Sequence, residues 1–143
     1  MRRKYEEIDH TADVGLRIYG ETLEALLIHA AEGLFYIIGS NTLLSKSAGQ
    51  AVTKTIIIES SDLETLLKDW LSELLYLHSS NHCYFNKFSI QSISDTGLIA
   101  TVTGFGIPQE QEKEIQDVKA VTYHGLEVAQ TDEGFEAQVI FDI

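Results

Sequence analysis

The stretch Ser61–Leu75, SDLETLLKDWLSELL, sets the reading of this chain. Leu63, Leu66, Leu67, Trp70, Leu71, Leu74 and Leu75 recur at the i, i+3, i+4, i+7 spacing of an amphipathic helix. Ser61-Asp62-Leu63-Glu64 opens it with the sequence form of a capping box. A second helix is predicted from Leu23, Leu26, Leu27, Ala30, Ala31, Leu34, Phe35 and Ile38, with Thr22 as N-cap and Gly39 as the stop. Each helix has an apolar face that must be covered, and strands are the available partners.

Six strands are expected, at Val14–Tyr19, Val52–Glu59, Tyr84–Ser94, Leu98–Phe105, Val121–Ala129 and Glu136–Asp142. Asp95-Thr96-Gly97 and Asp132-Glu133-Gly134 read as hairpin turns. Each helix follows a strand, and the last four strands come without helices. That order predicts one α+β domain over residues 1–143, with two amphipathic helices packed as a layer on a mixed or mostly antiparallel sheet. Gln109–Gln116, QEQEKEIQ, is expected to be the least ordered stretch, and Asn41–Gln50 a second loop.

Composition narrows the function. The chain has 143 residues with 44% hydrophobic and 22% charged content, enough for a core without metal or disulfide staples. Ten basic and 22 acidic residues give a net charge of −12. Such a chain has no broad basic footprint for nucleic acid and is repelled by anionic membranes. It suits cations or a basic protein partner. Cys83 is the one cysteine, so no internal disulfide forms, as in a reducing compartment. MRRKYEEIDH lacks the apolar core of a secretory signal, and no apolar run is long enough to span a bilayer. A cytoplasmic protein is expected.

Four clusters could carry chemistry. DHTAD, Asp9–Asp13, places two acids, an imidazole and a hydroxyl just before the first predicted strand, suiting a hard cation or proton transfer, or simply a self-capped polar loop. The final VIFDI, Val139–Ile143, alternates so that Asp142 lies beside the main-chain carboxylate of Ile143. Joined by Asp13, these would make a three-carboxylate site of the kind calcium or magnesium prefers, whereas zinc wants nitrogen or sulfur. The alternative is a solvated end. VKAVTYHGLEV holds Lys119, able to grip a carboxylate or phosphate, and His124, which alone is more often packed or solvated than a ligand. Asp69 and Glu73 stand four apart on one helix face, where like charges cost a few tenths of a kcal/mol. Trp70 and Tyr76 read as core or rim packing. Phosphate-loop, dinucleotide and nucleophile-elbow patterns are missing.

Taken together, IDHTADVGL, DLETLLKDWLSELLYL, VKAVTYHGLEV and the final FDI resemble the archease family, in order, from about Tyr5 to Ile143. The resemblance implies a small α/β protein that activates the GTP-dependent tRNA-splicing RNA ligase, promoting its guanylylation and multiple turnover. It implies a divalent metal ion, calcium or else magnesium or manganese, held by Asp13, Asp142 and the Ile143 carboxylate. Asp13, Lys119 and Asp142 are then critical for activation; by side-chain type alone, His10, His124 and Glu73 are candidate supporting residues. The protein would not itself be an enzyme, and no direct strong nucleic-acid binding and no membrane partner are expected. Two departures stand out: Ser72 replaces an expected amide in the helix, and Ser79-Ser80-Asn81-His82 replaces a more acidic link. Rival readings are an independent metal-dependent phosphoester hydrolase and a chaperone-like binding module.

Overall fold

A computed structural model describes residues 3–9, 13–44 and 50–143. Its strands are β1 (Tyr5–Asp9), β2 (Asp13–Gly20), β3 (Ala51–Glu59), β4 (Cys83–Ser94), β5 (Gly97–Gly106), β6 (Ala120–Val121), β7 (Glu127–Thr131) and β8 (Gly134–Asp142). The helices are α1 (Leu23–Leu44) and α2 (Leu63–Asn81), with a short 3-10 helix over Gln109–Glu114. The α+β class holds, and every strand pairing is antiparallel. The strands form two sheets rather than one. The first runs β1-β2-β8, with β6 and β7 both on the far edge of β8; the second runs β3-β5-β4.

The core lies around α1. Leu26, Leu27, Ala30, Ala31, Leu34, Phe35 and Ile38 are all buried, covering more of the helix surface than a one-sided stripe would. One flank of α1 rests on β2 and the other on β4. Against β2 the approach is close: a Cβ added at Gly33 would lie 2.6 Å from Leu16 Cδ2. Against β4 the seam is aromatic, with Phe35 edge-on to Tyr84 at 5.3 Å and to Phe85 at 5.8 Å. The Tyr84 hydroxyl donates to the Phe35 carbonyl at 2.8 Å, and the Trp70 indole N–H donates to the Leu27 carbonyl at 2.9 Å. The second bond ties α2 to α1 in the core, where Trp70 is fully buried.

Several expectations shift. The first strand is β1, not β2; YEEID pairs with β2 along its whole length, with Glu6 opposite Arg17 and bonded to Arg3 and to the Tyr19 hydroxyl. Thr22 caps α1 through Ala25 N–H, but the helix runs on past Gly39, which is buried, to Leu44. Residues 45–49 of the expected second loop lie outside the described residues. At α2 the cap is Asp62, accepting from Thr65 N–H, so the expected box is displaced by one residue; Glu64 instead accepts from Val128 N–H of β7. The stretch Val121–Ala129 is not one strand: a turn at 122–126, with Gly125 at φ +65°, divides β6 from β7. QEQEKEIQ is an ordered 3-10 turn with Gln111 buried, pinned where Gln116 N–H donates to the Ile38 carbonyl. Both hairpin turns stand where expected.

Gly33→Val should lower stability by about 1–3 kcal/mol, since Leu16 must leave its rotamer to admit the side chain. Tyr84→Phe should cost about 1 kcal/mol through loss of the buried bond to the Phe35 carbonyl, which keeps its place in the α1 ladder. Urea denaturation of both variants checks this; a Gly33→Val protein as stable as the parent would mean that α1 does not depend on its close approach to β2.

Candidate functional site

Antiparallel pairing puts the start of β2 against the end of β8. Val14 and Phe141 face each other in the core, at 7% and 0% exposure, so their neighbours Asp13 and Asp142 face each other on the opposite side of the sheet. Directly opposed residues have Cβ atoms about 4.5–5.5 Å apart. Asp13 is half-buried, and its Oδ1 atom is shielded from solvent; Asp142 is exposed. On the other edge of β8, Ala120 is the partner of Asp142, and Lys119 N–H donates to the Asp142 carbonyl at 2.8 Å. The chain therefore gathers Asp13, Lys119 and Asp142 at one end of the five-stranded sheet, with Ile143 next in line.

The other candidates are placed differently. His10 lies outside the described residues. His124 is exposed in the 122–126 turn. Glu73 is half-buried on α2, one turn from Asp69, whose Oδ2 accepts from the Ser60 hydroxyl at 2.7 Å. Among the described residues, no three His, Cys, Asp or Glu side chains converge closely enough to hold a metal ion. Side chains here supply two carboxylates. The donor set is hard oxygen, which fits calcium, magnesium or manganese and does not fit zinc.

Opposed carboxylates repel by about 1 kcal/mol when wet, more where shielded. The sheet tolerates this because its register is fixed elsewhere. Leu16, Ile18, Val139 and Ala137 are buried on the core face, and a slip of one residue would turn the pair on the slipping strand outward.

Sequence reasoning missed a groove beside this pair. It has a volume of about 380 Å³ and is lined by Lys68, Ser72, Tyr76, Ser79 and Lys119 over Leu75. The Lys68 ammonium stands 4.5 Å above the Tyr123 ring. The Lys68-Ser72-Tyr76 stripe at i, i+4, i+8 is the signal that was available. A second cavity, of about 320 Å³, lies between the end of α2 and the 3-10 helix, lined by His78, His82, Glu112 and Asp117 among others. His78 Nδ1–H donates to the Cys83 carbonyl at 2.7 Å. Burial nonetheless holds the imidazole below its ordinary value of 6.5.

Cys83 is fully buried, and burial pushes its thiol up to about 11. A neutral, enclosed thiol is no nucleophile. It should resist Ellman's reagent at pH 8 in the native state and react on unfolding; rapid native-state labelling would contradict the burial. His78 sets a pH dependence. Its folded value is depressed, so the unfolded chain takes the proton first, and stability present above pH 6.5 is lost as pH falls through the folded value. Denaturation at pH 7.5 and 5.5 should show a loss that shrinks in His78→Asn, whose amide can still donate to the Cys83 carbonyl. An equal loss in both proteins would assign the effect elsewhere.

Comparison with known proteins gives a consistent result. The family model of the Archease protein family matches residues 5–143. Protein archease from Methanosarcina mazei is 37% identical over 99% of this chain and 97% of its own length, and that from Pyrococcus furiosus is 34% identical over 99% of each. The solution structure of Methanobacterium thermoautotrophicum protein 1598 superposes with a TM-score of 0.75 at 34% identity, covering 98% of this chain and 99% of that one. A crystal structure of an archease, possible chaperone, from Thermotoga maritima shares the fold with a TM-score of 0.65 at 23% identity, covering 100% of this chain and 98% of that one. No helix among the described residues is long and apolar enough to cross a membrane.

Proposed function

Because this chain belongs to the archease family, we propose that it is a protein activator of the GTP-dependent tRNA-splicing RNA ligase. In this reading it promotes guanylylation of the ligase, allows repeated turnover and does no lasting chemistry of its own. The observation that carries the reading is the register Asp13↔Asp142 with Lys119 bonded through its backbone to Asp142. A core-fixed strand pairing that sets two carboxylates opposite each other lowers stability unless something positive sits between them.

Asp13, Asp142 and the main-chain carboxylate of Ile143 would hold a divalent cation, calcium or else magnesium or manganese. When bound, the cation supplies positive charge for phosphate oxygens. Lys119 adds a second positive group beside it, able to orient a triphosphate in the ligase's nucleotide pocket. The net charge of −12 favours docking on a basic, RNA-binding surface.

The test is RNA ligation at limiting ligase with GTP and divalent metal, with and without this protein. Product should exceed one equivalent of ligase only when it is present. Asp13→Ala and Asp142→Ala should abolish the stimulation. Each should also lose any rise in Tm that calcium gives the parent. Full stimulation by either variant sinks the site. Hydrolysis of a phosphoester by the protein alone, lost in Asp142→Ala, would favour a metal-dependent hydrolase instead.

A further inference from the structure

We propose that the groove between α2 and residues 119–123 binds a free nucleoside phosphate, with Lys68, Lys119 and the Ser72 and Ser79 hydroxyls holding the phosphate and Tyr76 or Tyr123 stacking the base. Charge is the first argument. In a chain with 22 acidic and ten basic residues, this groove is lined by two lysines and no carboxylate. Three other grooves each carry acids: Glu112 and Asp117, Glu127 and Glu136, and Glu32.

Exposed aromatic surface is the second. Tyr76 and Tyr123 are 64% and 66% exposed, the two most exposed tyrosines among the described residues; Tyr76 lines the groove, and Tyr123 stands at its margin under the Lys68 ammonium. Lysine ammoniums beside the exposed Tyr76 ring and the face of Tyr123 that Lys68 leaves uncovered match a ligand that is anionic at one end and a flat π-system at the other.

The frame is also built in advance. Lys119 is tied to Asp142 through its backbone. Thr122 donates to the Ile140 carbonyl from both its N–H, at 3.0 Å, and its hydroxyl, at 2.9 Å. Leu126 N–H closes the turn on the Tyr123 carbonyl. Tyr123 is thus presented by a fixed turn, which lowers the ordering cost of binding. The volume of about 380 Å³ lies at the lower end of the range for small-molecule sites. Size and charge choose between ligands: the groove is short, and a net charge of −12 repels a long polyanion, so a mononucleotide fits better than an RNA strand.

The inference shares Lys119 with the ligase reading but needs neither the ligase nor the cation, so the test uses the isolated full chain in EDTA. The ¹⁵N-labelled protein is titrated with GMP, inorganic phosphate and a single-stranded RNA decamer. GMP should give saturable amide shifts confined to residues 68–79 and 119–126. Lys68→Ala, at a half-buried position, and Tyr123→Ser, at an exposed one, both outside the carboxylate pair, should each weaken it by about fivefold. Equal binding of phosphate would reduce the groove to an anion site with idle tyrosines and overturn the proposal. Tighter binding of the decamer would replace it with strand recognition. An absence of saturable shifts up to 10-millimolar-range GMP, on the order of the weakest useful affinity, would end it.

Discussion

How closely α1 can lie on β2 governs the rest of the molecule. At Gly33 there is room for a hydrogen and not for a side chain, because Leu16 of β2 already fills the space. That contact sinks α1 into the five-stranded sheet deeply enough for its opposite flank to take the aromatic side chains of β4. Two sheets that share no strand are thereby bridged by α1, and α2 spans both as well, touching β3 and β4 of one and β6 and β7 of the other. The second helix then has its position fixed by a hydrogen bond from Trp70 to the α1 backbone. Buried residues of both helices and both sheets form one continuous core.

The carboxylate pair is a product of the same packing. Nothing in the local chemistry of two aspartates brings them together. They are opposed because the residues next to them, Val14 and Phe141, are buried, and because a one-residue slip would turn either Leu16 and Ile18 or Ala137 and Val139 out of the core. Hydrophobic burial therefore holds an electrostatically unfavourable arrangement in place. β8 carries the result to its other edge, where the backbone of Lys119 bonds the carbonyl of Asp142.

Features repeated with a period were legible in the sequence, and features set by a single contact were not. Both helices and the two hairpin turns stand where period and turn chemistry put them. β1 escaped notice because YEEID neither alternates nor carries β-branched residues beyond Ile8; its place is set by pairing to β2 and by the Glu6 bonds. Gly39 reads as a stop from sequence but is buried within α1, where packing outweighs its low helix propensity. The run Val121–Ala129 reads as one strand, yet Gly125 takes a left-handed turn and the two halves pair with separate stretches of β8. Asp13, Lys119 and Asp142 were each visible as residues of the right type. Their juxtaposition depends on a register between the two ends of the chain, and the Lys68–Tyr123 contact depends on two elements far apart in sequence.

The pairing of β2 with β8 has a kinetic side. Arg17 and Gln138, bonded across this ladder, are 121 residues apart in sequence. Closing so long a loop comes late, because its entropy must be met before the contact gives anything back. The three-stranded sheet and α2 are built from neighbours in sequence and can form earlier. Until β8 docks, β2 has an open edge, and Asp13 and Asp142 are strangers. The carboxylate pair therefore exists only in molecules that have completed folding, and local opening of this one strand dissolves it while leaving the second sheet intact.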